Sequence, residues 1–196
     1  MSKRKPYQER PQSRDAVWAQ GYITPWQLLR IAAWKSAKGV ALLSLNDEDT
    51  IVDQTRLLMA AIAPYRNHNV ISDLTDWNRW EADVRRAVGD QTVKSGLLGL
   101  QGVGYPMATA ILATVAPASF PIMDRWAIGG VFGQQMARRT SWHKAAAYRM
   151  FTETLATTTS RELIGISTVH ERDQFVMNQT MGGHEIADLV PVTPEG

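Results

Sequence analysis

The stretch Leu97–Ile128, LLGLQGVGYPMATAILATVAPASFPIMDRWAI, constrains the fold more than any other part of the chain. It reads as a short apolar helix, a tight turn at Gly102-Val103-Gly104, and a second helix to about Ala116. A loop then delivers Asp124 to the start of a further helix. Gly102 and Gly104 permit φ > 0 and let a second backbone approach closely. Pro106 suits a first helical turn, where its missing N–H costs nothing. A glycine turn that opens a helix aims backbone N–H groups and the positive dipole end at one point, which makes a seat for a phosphate.

The rest of the chain repeats the helical signal. Asp15 to Gln20 is a short helix ending at Gly21. Thr24-Pro25-Trp26-Gln27 is a capping-box pattern, and the helix it opens runs to about Lys38-Gly39, where Gly39 supplies the C-terminal cap. Asn46-Asp47-Glu48-Asp49 starts a helix to about Ala63, with carboxylates at the positive dipole end. Ser72 or Asp76 opens another, with Trp77, Trp80, Val84 and Val88 at helical spacing and Gly89 closing it. Beyond Asp124 come Arg125–Phe132, a helix capped by Ser141 through about Ala156, and helices at Ser160–Leu163 and Thr168–Met181. No run alternates with period two. Short helices joined by loops of about 5–10 residues specify an all-α fold. Residues 1–14, with Lys3, Arg4, Lys5, Arg10 and Arg14, form a disordered basic tail, and residues 191–196 a frayed one.

The run LxGVGxxxAxxIL, a Pro/aromatic loop and an Asp opening a helix together resemble the helix-hairpin-helix DNA glycosylases, the superfamily of endonuclease III. The resemblance covers about thirty residues. It implies a single domain over 15–190, built as two helical lobes with a cleft between them. One lobe is a helical barrel over about 28–116 that ends in the hairpin; the other combines 15–27 with 120–190. In that family the catalytic Asp lies 18 positions after the site where bifunctional members carry a Lys. Here that site is Pro106, and the register falls on Asp124, where the chain crosses between the lobes. Asp124 is then the catalytic carboxylate; read without the resemblance, it is an N-cap for the helix at Arg125.

The resemblance implies roles for further residues. Without an amine at Pro106 no imine forms there, so a monofunctional enzyme without lyase activity is expected, unless Lys35 or Lys94 takes the part. Trp34 lies 68 residues before Gly102, about where the family places its wedge loop. Trp34, Lys35, Tyr105 and Trp126 are substrate-binding candidates. Gly102, Val103, Gly104, Lys38, Lys94 and Arg125 are candidates for contact with double-stranded DNA. The plain reading of the same residues is core aromatics and solvated cations.

Composition removes several classes. The absence of Cys excludes a thiolate zinc site and an iron–sulfur cluster. His68, His143, His170 and His184 lack metal-ligand spacing, so no metal is expected, although a monovalent cation at the hairpin is compatible with the family. No phosphate-binding glycine motif follows a strand, so no nucleotide cofactor is implied. No apolar run nears the roughly 20 residues of a membrane span, and the N-terminus lacks the apolar core of a secretory signal. A cytoplasmic monomer is the expectation. A net charge of +2 supports a nucleic-acid partner only weakly. No carboxylate lies between Asp15 and Asp47, where adenine-type glycosylases carry a general acid, which argues against adenine as the excised base. A damaged base, in excision repair, and a phage-modified pyrimidine, in antiviral defence, both stay open. The alternatives from other classes are a non-catalytic helix-hairpin-helix DNA-binding protein and a helical adaptor.

Overall fold

The structure is a computed structural model that describes residues 14–89, 93–138, 142–158, 160 and 162–182. Among these the chain is all-helical, without a strand. The helices are α1 (Arg14–Gln20), α2 (Pro25–Lys35), α3 (Ala37–Leu43), α4 (Glu48–Ile62), α5 (Trp77–Val88), α6 (Tyr105–Val115), α7 (Arg125–Phe132), α8 (Ala145–Thr157) and α9 (Val169–Gly182). The terminal tails, apart from Arg14, lie outside the described residues, as does His184.

Side-chain caps set most of the helix starts. Thr24 Oγ1 accepts from Gln27 N while Gln27 Oε1 accepts from Thr24 N, the expected reciprocal pair, and Pro25 occupies N1 of α2. Asp47 and Asp76 cap α4 and α5. Thr168 and Glu171 exchange bonds at the start of α9. α2 ends at Lys35 rather than near Gly39. Ser36 is extended (φ −164°, ψ 120°), and its hydroxyl accepts from Gly39 N, so one residue both stops α2 and starts α3. Gly39 therefore sits inside α3.

The expected helix before the glycine turn is only a 3₁₀ turn, Leu97–Gly99. The chain doubles back there so tightly that a Cβ on Gly99 would lie 2.5 Å from the Lys94 carbonyl oxygen, which leaves no room for further helix. The C-terminal part departs from expectation in two places. α8 begins at Ala145, later than a start at Ser141, which lies outside the described residues. Residues 162–165 form turns instead of a helix, with Ser160 Oγ accepting from Glu162 N.

One continuous apolar core draws on every helix from α1 to α9. α6 lies deepest: Tyr105, Val115 and every residue from Met107 to Ala113 are buried. α1 and α2 pack on α6, with Trp18 Nε1 donating to the Val115 carbonyl at 2.9 Å. α7, α8 and α9 pack on one another, and α5 packs on α8. Trp80 of α5 joins the parts, its ring 5.6 Å from Phe120 and 5.2 Å from Tyr148. Buried Arg172 of α9 donates to the carbonyls of Leu155, Ala156 and Thr158, which satisfies the C-terminal end of α8.

Candidate active site

The segment that carries Asp124 is fixed residue by residue. The Tyr148 hydroxyl donates to the Pro121 carbonyl at 2.7 Å. Ile122 N donates to Asp173 Oδ2, and Met123 N donates to Thr109 Oγ1 at 3.1 Å. Asp124 then caps α7: its Oδ1 accepts from Trp126 N at 2.9 Å and Ala127 N at 3.1 Å. Its Oδ2 lies 2.7 Å from Lys35 Nζ at the end of α2. The two side chains are 14% and 13% exposed, so the pair is mostly shielded yet reachable from solvent. Asp124 is thus an N-cap, and it also has a second oxygen held by an amine 89 residues away.

Behind it, Asp173 is buried with His170 Nδ1 at 3.2 Å. Burial pushes the Asp173 carboxyl above its ordinary range, and the hydrogen bond from His170 opposes that rise. This carboxylate is spent on the Ile122 amide and holds the Asp124 segment in place.

The glycine turn faces a groove of about 260 Å³ lined by Lys35, Ser36, Lys38, Gly39, Leu42, Gly102, Gly104, Pro106 and Met107. Only Gly102 uses the left-handed region (φ 85°), and a Cβ there would lie 2.8 Å from Leu42 Cβ and 2.9 Å from the Gly39 carbonyl oxygen. Gly104 is extended (φ −98°, ψ 175°), so the expected positive φ is absent there, and its Cα faces open space. Val103 is turned inward: its side chain is buried and its N–H donates to the Leu100 carbonyl, so it has no amide left for a ligand. In the first turn of α6 Pro106 has no N–H and Met107 N donates to the Gly104 carbonyl, which leaves the Tyr105 amide without an acceptor within the helix.

The other candidates lie as follows. Trp34 packs beside Ala110, Ala113 and Ile122. Trp126 and Arg125 follow Asp124 on α7, with the guanidinium 4.9 Å from the indole centroid, so one ring face is already occupied. Lys38 is exposed at the groove. Lys94 is exposed with φ 51°, outside the lining of the groove. Tyr105 is buried with its ring parallel to that of His143, centroids 6.3 Å apart. Burial raises its hydroxyl above the usual tyrosine range, against the pull of the Arg85 charge.

Tyr105 lines a second and larger cavity, of about 750 Å³, with Arg85, Gly89, Leu98, Gly104, Pro106, His143, Lys144, Ala145 and Ala146. Arg85, His143, Lys144 and Asp173 are the residues that sequence reasoning missed. Arg85 carries the signature of a solvated helix partner to Glu81, four residues earlier, and His143 and Lys144 lie where a helix was expected to have begun. Among the described residues no cluster of three metal-ligating side chains occurs, and no helix is long and apolar enough to cross a membrane. Comparisons with protein-family models, with curated proteins and with solved structures give no match for this chain.

Proposed function

We propose that this chain is a DNA N-glycosylase that works at Asp124. The observation that carries the reading is the pairing of Asp124 with Lys35 at the edge of the groove formed by the glycine turn. The register from that turn, stated above as a resemblance, gives the same residue. In the proposed reaction an extruded nucleotide presents its sugar to Asp124. The bond from C1′ to the base nitrogen breaks, its electron pair leaves with the base, and positive charge develops on the sugar. A carboxylate at about 4 Å in an effective dielectric near 20 stabilises that charge by about 4 kcal/mol, on the order of a thousandfold in rate. Water attacks C1′ and gives a proton to Asp124, leaving an abasic site. The two N–H bonds to Oδ1 hold the carboxylate in place while Lys35 releases Oδ2 to the sugar.

The same 2.7 Å contact favours a second reading, in which the Lys35 amine passes a proton to Asp124 and attacks C1′ itself. That route forms an imine and cuts the strand, which Pro106 at the usual lysine site argues against.

Incubation with unmodified, alkylated, oxidised and phage-modified DNA, followed by alkali, tests the proposal. Alkali-labile sites are expected from one pool, and Asp124→Asn abolishes them while DNA binding survives. Activity that is unchanged in Asp124→Asn refutes the catalytic reading and leaves a DNA-binding protein. A borohydride-trapped adduct that disappears in Lys35→Met selects the imine route.

A further inference from the structure

The larger cavity adjoins the groove, because Gly104 and Pro106 line both. At about 750 Å³ it greatly exceeds the cavity of about 150 Å³ that holds a single six-membered aromatic ring. Tyr105 and His143 hold their rings within 2° of parallel, and the exposed His143 ring offers a face to a planar group. The remaining polar lining is cationic: Arg85, whose partner is Glu81 at 2.8 Å, and Lys144, which has no acidic partner among the described residues. Among the described residues no carboxylate lines the cavity.

Two helix starts reinforce that polarity. The N-caps described for α2, α3, α4, α5 and α7 each accept a backbone N–H with a side chain, and Thr168 does so for α9. α6 and α8, at Gly104 and Lys144, have no side-chain cap, and both open on this cavity. The first-turn amides of α8 and the Tyr105 amide of α6 add donors to a space already bordered by cations.

Resting on the glycosylase reading, we infer that this cavity receives the extruded base, with its ring against His143, and that the base carries an anionic arm reaching Lys144 and Arg85. An ordinary base fills only the aromatic end. An arm that ends in a carboxylate or phosphate fills the remaining volume and meets the donors found there.

The test compares three duplexes that differ at one central position: thymine, thymine with a carboxyl-terminated arm at C5, and thymine with the same arm ending in a carboxamide. Equilibrium binding is measured by fluorescence anisotropy at one fixed salt concentration, because phosphate contacts alone shift with salt. The carboxyl arm is expected to bind at least tenfold tighter than the carboxamide arm. That preference should fall below threefold in Lys144→Met or Arg85→Met, both at exposed positions, while the affinity for the thymine duplex changes less. Equal affinity for the two arms overturns the assignment of the anionic arm, and so does a preference that survives in both variants. If those duplexes still bind, the glycosylase reading stands. Failure of all three duplexes to bind overturns both.

Discussion

Replacing Lys35 with Met leaves the Asp124 carboxylate with two backbone amides and no counter-ion. At 2.7 Å and an effective dielectric near 20 the bare attraction is about 6 kcal/mol. Withdrawing both charges from water cancels most of it. Fully exposed pairs contribute about 0.2–1 kcal/mol, and removing one member of a buried pair costs about 3–5 kcal/mol. This pair lies between those limits, so a coupling of about 2 kcal/mol is expected from the cycle of Lys35→Met, Asp124→Asn and the double variant. Asn keeps an oxygen for the Trp126 and Ala127 amides, whereas Asp124→Ala loses the cap and costs about 1 kcal/mol more. Urea unfolding followed by tryptophan fluorescence reads all four variants by linear extrapolation. A coupling below about 0.5 kcal/mol would mean that the amine and carboxylate do not meet in solution. The placement of Lys35 in the chemistry would then fall with it.

Three further predictions concern the turn and the core. Gly102→Ala combines a left-handed backbone with contacts under 3 Å to Leu42 Cβ and the Gly39 carbonyl, so a loss of about 2–3 kcal/mol or more is expected in urea unfolding. Gly104→Ala meets nothing nearer than Pro106 Cδ at 4.0 Å; its stability should stay within about 0.5 kcal/mol, while DNA affinity falls because the new methyl occupies the open side of the turn. Burial raises the Tyr148 hydroxyl well above its ordinary range. Unfolded tyrosine ionises near pH 10, so the unfolded chain releases its proton first, and the associated stability is complete below pH 10 and lost as pH climbs beyond it. Tyr148→Phe should cost about 1–3 kcal/mol at neutral pH, by leaving the Pro121 carbonyl without its donor, yet flatten the decline of melting temperature between pH 9 and 11. An unchanged alkaline slope would refute the buried placement of that hydroxyl.

Local chemistry was legible wherever one residue settles one backbone choice. Thr24 with Gln27, Asp47 and Asp124 are read as helix starts from neighbours three or four residues away, and the structure bears each out; of the two starts offered for α5, Ser72 and Asp76, it selects Asp76. The apolar spacing of Trp80, Val84 and Val88 identified the buried face of α5. Reading failed where a local rule met a tertiary demand. Gly39 resembles a C-cap, but Ser36 breaks α2 first. The residues before Gly102 are apolar enough for a helix, but the doubled-back chain at Gly99 confines them to one 3₁₀ turn.

By itself, then, the sequence determined the all-helical character of the described residues, most of their helix starts and Asp124 as the cap of α7, because capping and helical periodicity act over a few residues. Tertiary structure alone decided that Lys35 is the partner of Asp124, that Asp173 anchors Ile122, and that Arg85 and Lys144 border one cavity with Tyr105 and His143. Those residues stand 38 to 89 positions apart in the pairs that matter most, His143 from Tyr105 and Lys35 from Asp124. Only the packing of helices around α6 closes such distances, since contacts between residues so far apart leave no periodic trace in the chain that makes them.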